Sequence, residues 1–165
     1  MVSGTVYECA MGATCAAVPD VLASGRRIPQ SMPMNALPLP ELLVVCLCAE
    51  WCGTCREYRA GFEALAAKWP QAAFHWVDVE DDADVAGDLD IENFPTLLIQ
   101  RGDLVLFFGT MLPQHVFLQR TLETLTALGD DEARAYAFAN DERRAWQQEC
   151  NLRPALEMHL ARKAA

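Results

Sequence analysis

The spacing of apolar residues changes several times along the chain, and each change predicts a structural element. Leu42 to Cys48 (LLVVCLC) is an uninterrupted apolar run, typical of a strand that is buried on both faces. Four large residues then recur at spacings of four, three and four: Tyr58, Phe62, Leu65 and Trp69. This period predicts a helix over 52–69 that ends before Pro70.

The same reading extends through the middle of the chain. It predicts a strand over residues 73–79 and a short acidic helix within 80–92. Two hairpin strands over 96–100 and 104–108 and a longer helix over 113–128 follow. Arg101, Gly102 and Asp103 form the expected hairpin turn. The order is a βαβ unit joined to a ββα unit, which indicates an α/β fold. The strands of the βαβ unit should be parallel, and helices should cover the sheet.

The two ends of the chain differ from this regular middle. Residues 1–40 contain five prolines and lack periodicity, so we expect a poorly ordered N-terminal extension, with Met32 or Met34 as alternative starts. Residues 41–129 are the predicted domain, and residues 130–165 are predicted as a helical C-terminal extension, ended or kinked at Pro154. The extension either docks on the core or stays a solvated appendage. Docking would use three aromatic residues, Tyr136, Phe138 and Trp146.

Composition and charge narrow the class of protein. The 165 residues are 52% apolar and carry a formal net charge of −10, typical of a soluble globular protein. The negative charge argues against non-specific binding to nucleic acid or to an anionic membrane. No apolar run has the roughly 20 residues that span a bilayer. A secretory signal would need basic residues near its start, and no Lys or Arg precedes Arg26. We therefore expect a cytoplasmic protein.

The seven cysteines indicate redox chemistry, because four of them lie within residues 46–55. Cys52 falls at the predicted helix N-terminus, where backbone N–H groups and the helix dipole favour a thiolate. Cys55, one turn later, is close enough to form a disulfide with it. Cys46 and Cys48 read as small core residues, with Cys46 alternatively a third thiol. Zinc would need two further ligands beyond the CxxC pair, so we expect no metal.

Three motifs carry a resemblance to a known family. The stretch Trp51-Cys52-Gly53-Thr54-Cys55 resembles the thioredoxin active-site motif, whose usual form is WCGPC. Phe94-Pro95-Thr96 resembles the cis-proline loop of that family, and Gly109 matches a glycine near its substrate groove. The resemblance covers residues 41–128. It implies a thioredoxin fold, with a central mixed four-stranded sheet flanked by helices.

The resemblance also implies a role for each site residue. Cys52 would attack a protein disulfide, Cys55 would resolve the mixed disulfide, and Pro95 would be cis. Six residues would contact the substrate: Trp51, Gly53, Thr54, Phe94, Pro95 and Gly109. No bound cofactor is expected, since a thioredoxin reductase or another dithiol donor would supply the electrons.

Two departures from the family pattern bear on function. Thr54 replaces the usual proline. Cys46 stands where the family has a buried aspartate, and Trp76 stands where it has the paired lysine. Proton transfer would then fall to water, Glu50 or Cys46. The chain is therefore predicted to be a thiol–disulfide oxidoreductase. The alternative is a thioredoxin-fold interaction module with a weakly active or vestigial redox site.

Overall fold

A four-stranded mixed sheet lies at the centre of residues 39–165, the part of the chain that this computed structural model describes. The strands are β1 (Leu42–Cys48), β2 (Ala72–Asp78), β3 (Thr96–Arg101) and β4 (Leu104–Thr110). Their order across the sheet is β2-β1-β3-β4. Strand β1 runs parallel to β2 and antiparallel to β3, and β3 and β4 form an antiparallel hairpin. The predicted α/β fold with a mixed sheet is confirmed.

Six helices accompany the sheet in the described residues: α1 (Gly53–Ala66), α2 (Ala83–Ala86), α3 (His115–Thr126), α4 (Asp130–Ala137), α5 (Asp141–Glu149) and α6 (Arg153–Lys163). Helix α1 is shorter than predicted, because the chain tightens after Ala66 into turns that the N–H groups of Lys68 and Trp69 close. The acidic segment is mostly turn. The Asp78 carboxylate accepts hydrogen bonds from the N–H groups of Glu80 and Asp81, which leaves only four residues in α2.

Alternate side chains of β1 enter two separate cores, which explains its uninterrupted apolar sequence. Val44, Cys46 and Cys48 face a cluster that also contains residues of α1, α3 and α4. Leu43, Val45 and Leu47 face the opposite cluster, which contains residues of α2 and α6. The period of two in a strand therefore places both cysteines of β1 on the side of the sheet that α1 covers.

The C-terminal segment forms three helices rather than one, and Pro154 does not end or kink any of them. That expectation is wrong, because the break comes earlier, at 150–152, and Pro154 lies in the first turn of α6. A proline is tolerated there, since the N–H group it lacks would have no partner within the helix.

Two of the three aromatic residues proposed for docking contact the core. Tyr136 packs against the cluster that contains α1, and Trp146 packs against the opposite cluster. Trp146 also meets the ring of Phe107 edge-on, with centroids 6.2 Å apart. Phe138 is 41% exposed and does not serve as an anchor. The proposed extension over 1–40 lies almost wholly outside the described residues, and the division into domains stays a prediction.

A side-chain amide from α5 covers part of the edge strand β4. The Gln147 amide accepts a hydrogen bond from the Val105 N–H at 2.9 Å and donates one to the Val105 carbonyl at 2.8 Å. It thereby pairs with β4 as a neighbouring strand would. Unpaired strand edges promote association with other chains, so this contact protects the sheet as well as anchoring α5.

Candidate redox site

Cys52 lies where the sequence predicted it, at the N-terminal end of α1. It is the N-cap residue, with extended backbone angles, and α1 begins at Gly53. Its N–H donates to the Ala49 carbonyl at 3.0 Å, and this tight turn leaves the Cys52 side chain half-buried. Gly53 and Thr54, the first two residues of the helix, are exposed. The free N–H groups of the first turn favour negative charge at this position.

Cys55 is bonded to Cys48 in the structure, and not to Cys52. The Cys48–Cys55 sulfur atoms are 2.10 Å apart and the Cα atoms 6.1 Å apart, whereas Cys52 is a free thiol. The cause lies in the packing of α1 on the sheet. Cys48 ends β1 on the side that α1 covers, and the first turn of α1 carries Cys55 inward to 1% exposure. Sequence reasoning did not predict that Cys48 pairs with Cys55. The available signal was the spacing of Cys46 and Cys48 in β1, which places both side chains on the same face of the strand.

Cys46 lies directly behind the disulfide in the same core cluster. Its sulfur is 3.9 Å from the Cys48 sulfur, at hydrogen-bond distance for sulfur. Burial raises the pKa of the Cys46 thiol well above its ordinary value, so this group stays protonated. A proton-transfer role for Cys46 or Glu50 stays a prediction. The Glu50 side chain is exposed, and its backbone carbonyl accepts a hydrogen bond from Arg56 at 3.0 Å.

The Tyr58 hydroxyl is a second unusual polar group in this core. The side chain is 1% exposed, and its oxygen has no hydrogen-bond partner among the described residues. The pKa of Tyr58 is raised by burial and, to a smaller extent, by charge on Cys46. A buried hydroxyl therefore stands within the electrostatic range of the Cys46 thiol, in a core that otherwise consists mainly of apolar groups.

The Pro95 loop packs beside the CxxC turn. The Phe94–Pro95 peptide bond is cis. The Phe94 ring meets the Trp51 ring edge-on, with centroids 5.8 Å apart, and the Pro95 carbonyl accepts a hydrogen bond from the Met111 N–H at 3.3 Å. The structure therefore brings the Pro95 loop against the Trp51 turn, which lies more than forty residues earlier in the chain, and against the end of β4.

Two other predicted contact residues have well-defined surroundings. Trp51 is 64% exposed, and its indole N–H donates to Glu80 at 3.1 Å, a partner that sequence reasoning did not find. Gly109 pairs with Leu97 between β3 and β4 and has a φ of +150°, which a side chain would strain. It lines a shallow pocket with Asp90 and Glu92. Substrate contact by these residues stays a prediction.

The position of the missing lysine is filled by an aromatic residue. Trp76 packs against the core that contains Cys46, and the Arg59 guanidinium lies 5.3 Å from the centre of its ring. The Arg59 cation therefore lies over the face of the Trp76 ring. Within residues 39–165, no three His, Cys, Asp or Glu side chains are placed to share a metal ion. No helix in that range combines the length and apolar character that a bilayer crossing requires.

Comparison with known proteins agrees with the geometry of the site. Residues 37–115 match the family model described as Thioredoxin. A thioredoxin H-type of Fagopyrum esculentum is 41% identical over 59 residues, which are 36% of this chain and 51% of that protein. Thioredoxin-2 of Saccharomyces cerevisiae is 36% identical over 62 residues, which are 38% of this chain and 60% of that protein.

The aligned regions are partial. This chain spans between half and three fifths of the length of these two curated relatives. The X-ray structure of Fasciola hepatica thioredoxin aligns with 53% of this chain and 83% of its own, at 26% identity and a TM-score of 0.48. The matched residues 37–115 include the CxxC turn, and in this region the chain is similar to thioredoxins.

Proposed function

We propose that this chain is a thiol–disulfide oxidoreductase that reduces or exchanges protein disulfides, with Cys52 as the attacking thiol and Cys55 as the resolving thiol. The observation that carries the proposal is the position of Cys52: half-buried at the N-terminus of α1, one residue from an exposed tryptophan that contacts the cis-Pro95 loop. This arrangement provides a partly exposed thiol at a helix N-terminus, beside a surface on which an extended substrate segment could lie.

The reaction starts from the form in which Cys52 and Cys55 are both reduced. The Cys52 thiolate attacks one sulfur of a substrate disulfide, forms a mixed disulfide and releases the other substrate sulfur as a thiolate. The Cys55 thiolate then attacks Cys52, the Cys52–Cys55 bond forms, and the second substrate thiolate leaves. Two electrons have passed from the protein to the substrate. A dithiol donor, for which a thioredoxin reductase is one candidate, restores the reduced pair.

Reduction of insulin by dithiothreitol tests the proposal. The wild-type protein should accelerate the precipitation of insulin chains, and Cys52→Ser should abolish the acceleration. Cys150→Ala is the matched control. Cys150 is buried in the opposite core, and burial, together with the neighbouring Glu149, raises its pKa to about 11, so it stays protonated. Equal rates for wild type and Cys52→Ser would refute the mechanism.

The second candidate is a thioredoxin-fold interaction module with a weakly active or vestigial redox site. The bond between Cys55 and Cys48 favours it, because it leaves Cys52 without a resolving thiol. Trp51 and Leu112 are also largely exposed apolar side chains available to a partner. Wild-type protein that fails in the insulin assay after full reduction of Cys48–Cys55 would favour this candidate. A cytoplasmic location also stays a prediction, which cell fractionation would test.

A further inference from the structure

Cys55 has two potential disulfide partners, Cys48 in the interior and Cys52 near the surface. Cys48 is fully buried at the end of β1 and holds Cys55 in the structure. Cys52 is half-exposed, packs against the same core cluster and lies three residues before Cys55. Side chains at this spacing across a helical turn are neighbours. Cys55 therefore connects a surface thiol with an interior thiol.

The buried disulfide has no direct access to external thiols. Cys48 is 0% exposed and Cys55 is 1% exposed, so neither sulfur is available to a protein or glutathione thiolate. Thiol–disulfide exchange requires a thiolate to reach one of the two sulfur atoms. Among the described residues, the free thiols of this core are Cys46, which is buried, and Cys52, which is half-exposed. Cys52 is thus the thiol that can link the buried disulfide to the outside.

We propose that Cys48 is a third redox thiol of the site and that it exchanges with Cys52 for the bond to Cys55. The Cys52 thiolate attacks the Cys55 sulfur, the Cys52–Cys55 bond forms, the Cys48–Cys55 bond breaks, and Cys48 leaves as a thiolate. Cys48 then takes up the proton that Cys52 gave up. The step is an isomerisation that consumes no oxidant, and the reverse step stores the disulfide in the core. This inference rests on the proposed function, since it assigns Cys48 to the same dithiol couple.

Cys46 is placed to assist the leaving thiol. A bare thiolate is costly in an apolar core unless a donor reaches it. The Cys46 sulfur is 3.9 Å from that of Cys48, and burial keeps Cys46 in the protonated form that can donate. Cys46 is therefore a positioning residue for this exchange. The family resemblance gave this place to a carboxylate, whereas here a neutral thiol occupies it and faces a second sulfur.

The exchange predicts a distinctive oxidised protein. If Cys52 and Cys55 were the whole couple, oxidation would consume the Cys52 thiol. If Cys48 holds Cys55, the Cys52 thiol stays free and accessible in the oxidised protein. The two isomers contain the same number of disulfides and differ only in which cysteine reacts with a maleimide, Cys48 or Cys52. Peptide mapping can therefore distinguish them.

The sequence allows the mapping to be done with two proteases. Cleavage after Glu41, Glu50 and Arg56 separates peptide 42–50, which contains Cys46 and Cys48, from peptide 51–56, which contains Cys52 and Cys55. The reduced full-length protein is oxidised with glutathione disulfide or with insulin, acid-quenched at intervals, alkylated with N-ethylmaleimide and digested at acidic pH. A Cys48–Cys55 bond joins the two peptides, and a Cys52–Cys55 bond closes a loop within 51–56.

In wild-type protein the loop within 51–56 should form first and then decay as the linked peptide pair accumulates. The total number of disulfides should stay constant during this change, and the linked pair should carry maleimide on Cys52. Cys150→Ala, in the opposite core, is the matched control and should form the linked pair at the wild-type rate, whereas Cys48→Ala should lose it and keep the loop. Cys46→Ala should retain the linked pair but form it more slowly. Cys52→Ser should form the linked pair at least tenfold more slowly than wild type with glutathione disulfide. Circular dichroism establishes that each variant is folded.

Two results would overturn the inference. One is complete alkylation of Cys48 in all oxidised wild-type samples, which would make Cys48 a packing residue only. The other is formation of the linked pair at the wild-type rate in Cys52→Ser, which would remove Cys52 from the route. Failure of the proposed function is a different outcome. In that case oxidation by glutathione disulfide still produces the isomers, but insulin oxidises no cysteine of the reduced protein.

Discussion

Replacement of Arg153 by methionine should destabilise the fold by about 3 kcal/mol, because this guanidinium joins three distant parts of the chain. Arg153 is 9% exposed and lies at the start of α6. It donates hydrogen bonds of 2.7–3.1 Å to the carbonyls of Leu39, Pro40, Glu41 and Gly102. It thereby ties α6 to the segment that leads into β1 and to the β3–β4 hairpin.

The magnitude follows from counting these bonds and then allowing for water. A hydrogen bond to a charged group contributes about 1.5–3 kcal/mol, so four such bonds set an upper limit of about 6–12 kcal/mol. The acceptor residues are exposed or half-buried, and their carbonyls regain water once the guanidinium is gone. Methionine keeps the apolar stem of the side chain, which removes the cavity contribution. The expected loss of about 3 kcal/mol is therefore well below the limit.

Urea denaturation followed by far-UV circular dichroism measures the effect. The matched control is Arg162→Met, the same substitution on the same helix, at a side chain that is 61% exposed and pairs with Asp84. A surface ion pair of this kind contributes less than about 1 kcal/mol. Arg153→Lys should fall between wild type and Arg153→Met, because one ammonium cannot reach four carbonyls. If Arg153→Met lost no more stability than Arg162→Met, the assignment of Arg153 as an anchor would be wrong.

Two further substitutions test the packing and the titration of the core. Gly61→Ala should destabilise the protein by about 1–2 kcal/mol despite the better helix propensity of alanine. The added Cβ would clash with the imidazole ring of His115, which stacks on Tyr58. In a His115→Ala background the same change should instead stabilise by up to about 1 kcal/mol, and an unchanged sign in the double-mutant cycle would contradict the clash. Burial lowers the pKa of His75 on β2, so the unfolded chain binds a proton at this residue more readily than the folded protein does. His75 therefore reduces the stability of the fold as the pH falls below about 6.5. His75→Gln should therefore lose less stability than wild type between pH 7 and pH 5.5, and identical losses in urea titrations would argue against it.

The order of elements could be predicted from the sequence because it depends on local patterns. The apolar run of β1 and the aromatic face of α1 each follow from a repeat within a few residues, and the structure has both. The C-terminal helices could not be placed in the same way. Arg153 and Gln147 read as ordinary surface residues of a helix, but both bond to backbone groups more than forty positions away. Such contacts exist only after the sheet has formed, so no local pattern signals them.

The cysteines of the candidate site show the same limit at closer range. Cys52 and Cys55 are three residues apart at the start of one helix, so their spacing in the sequence predicts that they form a disulfide with each other. The choice of Cys48 depends on how α1 crosses the end of β1, where the alternation of the strand turns Cys46 and Cys48 toward the helix. A thiol at Cys46 places no charge in this core and provides a second sulfur beside the one that holds Cys55. For the exchange proposed above, a substitution at Cys46 should slow the reaction, whereas the Cys48–Cys55 bond should still form.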